Sequence, residues 1–365
     1  MKKIVICTLR DNKGATGGPG GVVYMISTIL GREYDNFEIE YRFNKFRFGR
    51  CFRPFLNKGY FFFKCLFERD VFYISHDIDS GSILARLNKE YSLVYHNQGP
   101  IVQELLNFGL QLSEGKRKQL ANREKTAFIK AKTLHFPSQG AAEMYFNNSY
   151  ASCLKREVNI GFPLYNTIPI EKGEPIQGLS PDKSKLTFFS LGTLTDAKGQ
   201  DLSIRFLKYY MNENPNENVR YIVVGKGPLE EELKEKAKEL ACKYPNFEYI
   251  YYPSLRHSEV MFVHEIADVY IMLHRISIFD FATLEAMSSH TAIVLSPIGG
   301  NLDFNKADNI IYVNENDEAT AIKRINKEAC TLLKELNYSV YREFFSEESF
   351  KKEYQELISN NTRVH

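Results

Sequence analysis

The chain has 365 residues, of which 44% are apolar and 25% charged, and its formal net charge is +2 at pH 7. This composition is typical of a globular protein and excludes a wholly disordered chain. The charge balance also lacks the strong basic excess of a dedicated nucleic-acid-binding protein. Because the length exceeds what one ordinary hydrophobic core holds, we expect two domains.

The six cysteines are far apart, and no two have the Cys-x-x-Cys spacing. The sequence therefore predicts neither a zinc site nor a disulfide framework, and it fits a reducing cytosol. No apolar run approaches the roughly 20 residues of a membrane-spanning helix. Lys2-Lys3 before a short apolar stretch resembles the start of a signal peptide, but the stretch is too short, so we interpret 3–9 as a buried strand.

Short apolar runs alternate along the chain with longer amphipathic segments, which indicates parallel sheets with helices on both faces. The predicted strands are 3–9, 71–75, 92–96, 132–136, 186–192, 219–224, 268–273 and 292–295. The predicted helices are 20–31, 113–130, 138–147, 199–212, 228–242, 256–266 and 281–289. Segment 166–185 is rich in Pro and Gly and has no periodicity, so we interpret it as a linker. The predicted domains are 1–165 and 186–335, followed by helices over 336–365.

Two loops of the first half are candidates for function because ligands of open α/β sheets bind at the carboxyl ends of strands. A glycine-rich loop at 14–21 follows the first strand and precedes a helix, an arrangement that favours anions. It matches neither the dinucleotide fingerprint nor the phosphate-binding P-loop, so a flexible loop remains the alternative. His96 stands at the C-terminal end of the predicted strand 92–96 and precedes Gly99-Pro100, and both a structural and a functional role stay open.

In the second half, four successive strand ends carry glycine, lysine or helix-start residues. These are Gly192 to Gly199, Gly225 to Pro228, His274 to Asp280, and Ser296 to Gly300. Each alone is a common turn. Together they indicate a binding site for a phosphate-bearing ligand along this edge of the sheet, because helix N-termini and lysines both favour anions.

The order of these residues resembles the C-terminal domain of family 4 glycosyltransferases, which are retaining enzymes that use nucleotide sugars. The resemblance is carried by Gly192…Lys198-Gly199, Gly225-x-Gly227-Pro228, Ala267-Asp268, Phe279…Leu284-Glu285-Ala286-Met287 and Gly299-Gly300-x-x-Asp303 and, more loosely, by Gly20-Gly21-Val22, His96-Asn97-x-Gly99 and the tail Phe345-Ser346…Tyr354. It implies the α/β fold called GT-B, with two facing Rossmann-like domains and a deep interdomain cleft. The terminal helices would cross back toward the first domain.

By resemblance, the expected catalytic residues are His96, Lys198 and Glu285, with Lys198 on the diphosphate and Glu285 on the ribose of the donor. The other expected donor-binding residues are Gly20, Gly21, Gly192, Thr193, Gly225, Lys226, Gly227, Ser277, Phe279, Asp280 and Phe281. No His/Cys cluster has ligand spacing. We therefore expect no metal and no cofactor besides the nucleotide-sugar co-substrate.

Two positions depart from the family pattern. Ser277 stands where the family has the first of two glutamates, and Thr193 stands where it has an arginine. Asp280 either replaces the missing carboxylate or caps the helix that begins at 281. Lys226 or Arg275 either replaces the missing cation or is a solvated surface residue.

The resemblance implies transfer of a sugar, with retention of its anomeric configuration, from UDP-hexose or UDP-N-acetylhexosamine to a glycan or lipid-linked acceptor. We expect a cytoplasmic enzyme of bacterial polysaccharide biosynthesis, peripheral to the membrane, with no nucleic-acid partner. Two alternatives stay open. Thr193 and Ser277 suggest a non-catalytic GT-B partner subunit, and a GT-B nucleotide-sugar epimerase is the other.

Segment 41–69 combines eight Lys or Arg residues and eleven aromatic residues with one acid, Glu68. Cations interleaved with aromatics suit an anionic membrane surface. The alternatives are a domain core with an acceptor groove, and stacking on single-stranded nucleic acid. The expected membrane or acceptor patch comprises Arg42, Lys45, Arg47, Arg50, Arg53, Phe61, Phe62 and Phe63.

Overall fold

The computed structural model describes residues 2–11, 19–35, 37–46, 52–107, 109–148, 151–314 and 317–362. The chain divides into two compact units, the first formed by Met1–Asn166 with Glu347–His365 and the second by Thr167–Ser346. Most of the segment interpreted as a linker therefore belongs to the second unit, and the last helix belongs to the first. Within the described residues, no helix combines the length and apolar character that crossing a bilayer requires.

The first unit is built on a six-stranded sheet in the order β2-β3-β1-β4-β5-β6, parallel except for the short β2 at its edge. Without β2 the order is that of a flavodoxin-like doubly wound sheet. Its elements are β1 Lys2–Cys7, α1 Pro19–Ile29, β2 Glu33–Tyr34, β3 Phe37–Arg42, α2 Arg53–Phe67, β4 Val71–Ser75, α3 Ile78–Arg86, β5 Tyr91–Val94, α4 Ile101–Asn107, α5 Glu114–Ile129, β6 Thr133–His135 and α6 Gln139–Phe146.

The second unit contains a six-stranded parallel sheet in the order β12-β11-β10-β7-β8-β9, the strand order of a doubly wound Rossmann sheet. Its elements are β7 Leu186–Leu191, α7 Gln200–Glu213, β8 Val219–Val224, α8 Glu230–Lys243, β9 Phe247–Tyr252, α9 His257–Ile266, β10 Val269–Met272, α10 Phe281–Ser288, β11 Ala292–Leu295, β12 Ile310–Tyr312, α11 Glu318–Lys323 and α12 Lys327–Val340. A π-helical turn over Tyr341–Phe345 follows, and α13 Glu347–Thr362 returns to the first unit.

The strands that sequence reasoning located are those buried on both faces. All six residues of β8 and all four of β10 are buried, as expected for central parallel strands covered by helices. The elements it missed include strands at sheet edges, helix α2 and the short helices α3 and α4. In the edge strand β9 only Phe247 is buried, and β12 has three residues. In helix α2 most of the large apolar side chains are exposed. Apolar residues therefore do not mark its buried face, and the usual amphipathic pattern of a helix is not visible in the sequence.

Candidate active site

The second sheet reverses its strand order between β7 and β10, which are neighbours in the sheet but not in sequence. Ligands of doubly wound sheets bind at the carboxyl ends of the strands beside such a reversal. The segment from Gly192 to Gly199 follows β7, and the segment from His274 to Asp280 follows β10. The fold therefore brings two of the four strand ends singled out in the sequence to its expected ligand position.

Lys198 and Asp280 form an ion pair at this position. Lys198 Nζ donates to Asp280 Oδ1 at 2.8 Å, and about a third of the lysine side chain remains exposed. The lysine stem runs past Gly192, where an added Cβ would contact Lys198 Cε at 3.6 Å. Lys198 thus reaches the end of β7 with about a third of its side chain still exposed.

Asp280 is the N-cap of α10, which confirms the capping interpretation. Its Oδ2 accepts 3.1 Å hydrogen bonds from the backbone N–H and the hydroxyl of Thr283 and from the hydroxyl of Tyr270. Burial opposes ionisation of this carboxyl, but Lys198 and His274 outweigh it and hold the pKa of Asp280 well below its ordinary value. Asp280 is therefore a buried carboxylate that fixes Lys198 against the start of α10.

Glu285 lies one turn further along α10 and is held by two histidines of α9. His257 Nε2 donates to Glu285 Oε1 at 3.0 Å, and His264 Nε2 lies 3.6 Å from Oε2. Burial opposes ionisation, but the hydrogen bond from His257 and the nearby His264 outweigh it and lower the pKa of Glu285. The residue predicted to bind a ribose is thus an ionised, nearly buried acceptor.

Two glycines let neighbouring loops approach closely. Gly225 follows β8 with φ 147°, and a Cβ there would overlap the carbonyl oxygen of Gly192. Gly199 has φ 70° at the start of α7, and its Cβ would overlap the carbonyl oxygen of Leu273. The backbones of these strand ends pack so closely beside Lys198 that a side chain fits at neither position, and only glycine is accommodated. Gly227 lies in the same turn after β8 as Gly225, and a Cβ there would overlap the backbone of Leu194.

The other residues predicted for the donor site have varied settings. Thr193 and Lys226 are exposed, Phe281 is half-buried at the first position of α10, and Ser277 is buried. Among the described residues, the Ser277 hydroxyl has no hydrogen-bond partner, while its carbonyl accepts from Gly300 N at 2.9 Å. The Phe279 ring packs at 4.7 Å from that of Phe304, so its side chain belongs to an aromatic cluster.

Arg275, one candidate for the missing cation, is engaged by a carboxylate. Its guanidinium donates two hydrogen bonds to Asp201 at 2.9 and 2.7 Å. Lys226 is exposed in the turn after β8. Of the two candidates, Lys226 therefore has the accessible ammonium, whereas Arg275 ties the β10 loop to α7.

In the first unit, His96 pairs with a histidine that sequence reasoning missed. His76 Nδ1 lies 3.0 Å from His96 Nε2, and the two rings stack with centroids 5.3 Å apart. His76 follows β4 beside β1, where the first sheet reverses its strand order, and it stacks on Tyr354 of α13. Burial lowers the pKa of His96 to about 4, so this imidazole is neutral at pH 7.

The glycine loop of the first unit is described only from residue 19 onward, so Gly14, Gly17 and Gly18 lie outside the described residues. Gly20 and Gly21 are buried in the first turn of α1. A Cβ at Gly20 would overlap the carbonyl oxygen of Asp11, which explains the glycine as a close contact between α1 and the end of β1.

The patch predicted over 41–69 is corrected by the structure at two residues. Arg42 is buried and forms ion pairs with Glu40 and Glu68, and Phe61 is buried in the core, so neither is a surface residue. Arg53 is partly exposed and pairs with Asp11. Lys45 and Phe63 are exposed and Phe62 is half-buried, while Arg47 and Arg50 lie outside the described residues.

Among the residues that the structure describes, no group of three or more His, Cys, Asp or Glu side chains converges as a metal site would. Metal independence stays a prediction. The residues that sequence reasoning missed are His257, His264, His274 and His76. The seven-residue spacing of His257 and His264 was a usable signal, because it places both side chains on one face of α9.

Residues 172–330 match the model of the family described as Glycosyl transferases group 1. A search of curated proteins found no match. Among solved structures, the chain is similar to a sucrose-phosphate synthase from Thermosynechococcus elongatus, with 15% identity, coverage of 99% of both chains and a TM-score of 0.67. It is also similar to HepE from Anabaena in complex with UDP, with 15% identity, coverage of 99% of this chain and 100% of that one, and a TM-score of 0.64.

A third similar structure is described as trehalose-6-phosphate from E. coli bound with UDP-2-fluoro glucose, with 14% identity, coverage of 100% and 99%, and a TM-score of 0.63. These likenesses and the two parallel-sheet units confirm the GT-B fold predicted from the sequence. The class that these observations define is a fold class, the two-unit α/β fold called GT-B. The segment that matches the glycosyl transferases group 1 model lies entirely within the second unit.

Proposed function

We propose that the chain is a retaining glycosyltransferase that moves a sugar from a UDP-linked donor to a glycan or lipid-linked acceptor. The observation that carries the proposal is the grouping of Lys198, Asp280 and Glu285 around α10 beside the strand-order reversal of the second sheet. UDP as the nucleotide is supported by two of the similar structures, whose descriptions name UDP or a UDP-sugar.

In this proposal Lys198 and the first N–H groups of α10 receive the diphosphate. Negative charge on the leaving phosphate grows as the bond to the sugar breaks, and a fixed cation and helix N-terminus stabilise that charge. Asp280 holds Lys198 in place beforehand, so little reorganisation is needed when the charge develops. Glu285 accepts hydrogen bonds from the ribose hydroxyls, for which its lowered pKa keeps it ionised.

The reaction breaks the bond between the anomeric carbon and the diphosphate oxygen and forms a bond to the acceptor oxygen on the same face. The acceptor hydroxyl gives its proton to the departing phosphate oxygen. The neutral His96 would contact the transferred sugar as a hydrogen-bonding partner rather than as a charge. Retention, the acceptor and the role of His96 rest on the family resemblance.

The experiment is UDP release from a panel of UDP-sugars, with and without a crude lipid-linked glycan acceptor. We expect acceptor-dependent release of UDP and formation of an α-linked product from an α-linked donor, read by NMR. Lys198→Ala should remove the release, and Lys238→Ala, which removes an exposed lysine of α8, serves as the matched lysine control. Inversion of the anomeric configuration contradicts the retaining mechanism.

The second candidate, a non-catalytic partner subunit, is favoured by one observation: Thr193 and Ser277 replace an arginine and a glutamate of the family pattern. It predicts a melting shift with UDP or a UDP-sugar but no UDP release with any acceptor. A change of the donor sugar in the absence of acceptor would instead indicate an epimerase.

A further inference from the structure

Helix α2 presents an apolar face to solvent. Phe55, Phe63 and Phe67 are 76%, 62% and 77% exposed. The opposite side of the helix packs against the unit through Asn57, Phe61 and Cys65. The α2 apolar face, as defined here, consists of Phe52, Phe55, Leu56, Tyr60, Phe63, Leu66 and Phe67.

The spacing makes this face continuous. Its members recur three or four residues apart over the 15 residues of the helix, so they form one stripe directly opposite the buried positions. Single exposed apolar residues are normal on a protein surface. A contiguous stripe of aromatic and leucine side chains marks instead a surface that contacts a partner or a membrane.

A cationic cavity adjoins the stripe. It encloses about 680 Å³ between α2, α3 and α5, and Phe55 lies on its wall. Three cations and one carboxylate line it. Asp79 Oδ1 lies 3.0 Å from Lys58 Nζ and 2.7 Å from Arg123 Nη1, and Arg86 is exposed at its edge. The cavity therefore keeps an excess of positive charge beside the apolar face.

The other margin of the stripe is also cationic. Lys45 is exposed, with its Nζ 4.4 Å from the centre of the Tyr60 ring, and Arg69 is exposed just beyond the end of α2. Lys64 is partly exposed and pairs with Glu40. An apolar face with cations on both sides complements an anionic membrane interface, where acyl chains lie beneath a layer of phosphates.

We propose that α2 lies in the interface of a bilayer that contains anionic lipid, with its apolar face inserted and a headgroup phosphate in the cavity of Lys58, Arg86 and Arg123. A second copy of this chain fits the surface less well. In a two-fold dimer the same surface meets itself, so the cations on both margins of the stripe would face one another. The inference stands apart from the proposed transfer reaction.

The two parts of the interaction respond differently to salt. Raising salt from about 0.1 M to about 1 M shortens the screening length from about 10 Å to about 3 Å and weakens the attraction to phosphate. Aromatic insertion is an apolar effect that salt does not remove. Because Asp79 and Glu40 already pair with Lys58 and Lys64, we expect insertion to dominate.

The experiment is co-sedimentation of the full chain with phosphatidylcholine–phosphatidylglycerol vesicles and with phosphatidylcholine vesicles, at low and at high salt. We expect binding to the mixed vesicles that largely persists at high salt. The triple variant Phe55→Ser, Phe63→Ser, Phe67→Ser should bind at least about tenfold more weakly at both salt concentrations. Arg86→Ser should lower only the preference for the anionic vesicles.

The matched control is Leu332→Ser, an equally exposed apolar residue of the second unit, which should bind as the wild type does. Unchanged melting temperatures show that the variants are folded, since every substituted side chain is exposed. Equal binding of the triple variant and the wild type overturns the proposal, as does absence of wild-type binding. A wild-type dimer in sedimentation velocity that the triple variant abolishes, without vesicle binding, also overturns it and indicates a second copy.

Discussion

His257 bridges two carboxylates, with Nε2 3.0 Å from Glu285 Oε1 and Nδ1 2.9 Å from Glu171 Oε2. A carboxylate accepts hydrogen bonds, so both ring nitrogens carry a proton and the ring is an imidazolium. The hydrogen bond to Glu285 is the largest cause, and it raises the pKa of His257 to about 9. The carboxylate proposed to bind the ribose is therefore already paired with a cation when no donor is bound.

Stability should depend on this pair between neutral and alkaline pH. The folded pKa of His257 lies above its ordinary value of 6.5, so folding favours the protonated ring. That contribution is complete below about pH 6.5 and is lost as the pH rises through about 9. We expect the melting temperature of the wild type to fall over this range more than that of His257→Asn. Parallel melting curves of the two proteins against pH contradict the assignment.

Lys198→Ala should lower turnover more than donor affinity, because the charge that Lys198 stabilises grows in the transition state. We expect kcat to fall on the order of 100-fold or more while KM for the donor changes only a few-fold. Lys238→Ala, which removes an exposed lysine from α8, is the control and should keep kcat within a few-fold. Steady-state UDP release measures both, and wild-type turnover in Lys198→Ala would exclude it from the chemistry.

Asp280→Asn should separate the two roles of Asp280, which caps α10 and holds Lys198 by an ion pair. Asparagine caps a helix about as well as aspartate, so the start of α10 should be retained. The loss of negative charge frees Lys198, and we expect kcat to fall while the melting temperature falls less than in Asp280→Ala. Truncation to alanine also removes the cap, which costs about 1 kcal/mol of unfolding free energy. Equal melting temperatures for the two variants would be evidence against the cap.

Gly225→Ala should destabilise the second unit strongly. The added Cβ meets the carbonyl oxygen of Gly192, and the φ of 147° is unfavourable for any residue with a side chain. Such backbone strain costs about 1–3 kcal/mol before the overlap is counted. Gly59→Ala in α2 is the control, since nothing lies within 4 Å of its Cβ, and alanine should stabilise a helix by about 0.5–1 kcal/mol. Chemical denaturation compares the two.

His96→Ala should spare nucleotide binding, because Lys198 and Glu285, which are proposed to bind the diphosphate and the ribose, belong to the other unit, and it should impair transfer. The melting shift produced by UDP should equal that of the wild type, while acceptor-dependent UDP release should fall about tenfold or more, as expected for a lost positioning contact. His76→Phe tests whether the stacked partner positions His96. We expect a smaller loss of transfer rate, with the KM for the donor unchanged. Unchanged transfer in His96→Ala leaves this histidine with a structural role only.

The sequence predicted the two-domain α/β organisation well, because the central strands are short, continuous apolar runs that alternate with longer amphipathic helical segments. The family resemblance singled out Lys198 and Glu285, and the structure places Lys198 against the start of α10 and Glu285 within it, while their roles toward a donor stay predictions. The sequence could not predict that His257 pairs with Glu285, since 28 residues separate them and only the packing of α9 against α10 brings them together. It also could not tell which cations of 41–69 are buried and which are exposed, because the burial of Arg42 depends on its ion pairs with Glu40 and Glu68.

Helix α13 has a consequence for how the protein is made. The first unit needs α13, whose Tyr354 stacks on His76, yet the whole second unit lies between them in the chain. During synthesis the N-terminal residues emerge first and domains generally fold as units in that order. Residues 1–166 must therefore remain incomplete, with the site of Tyr354 uncovered, until the ribosome has passed the second unit. A released chain that ends at residue 346 should be cleaved by protease within the first unit, and one that ends at residue 362 should be protected.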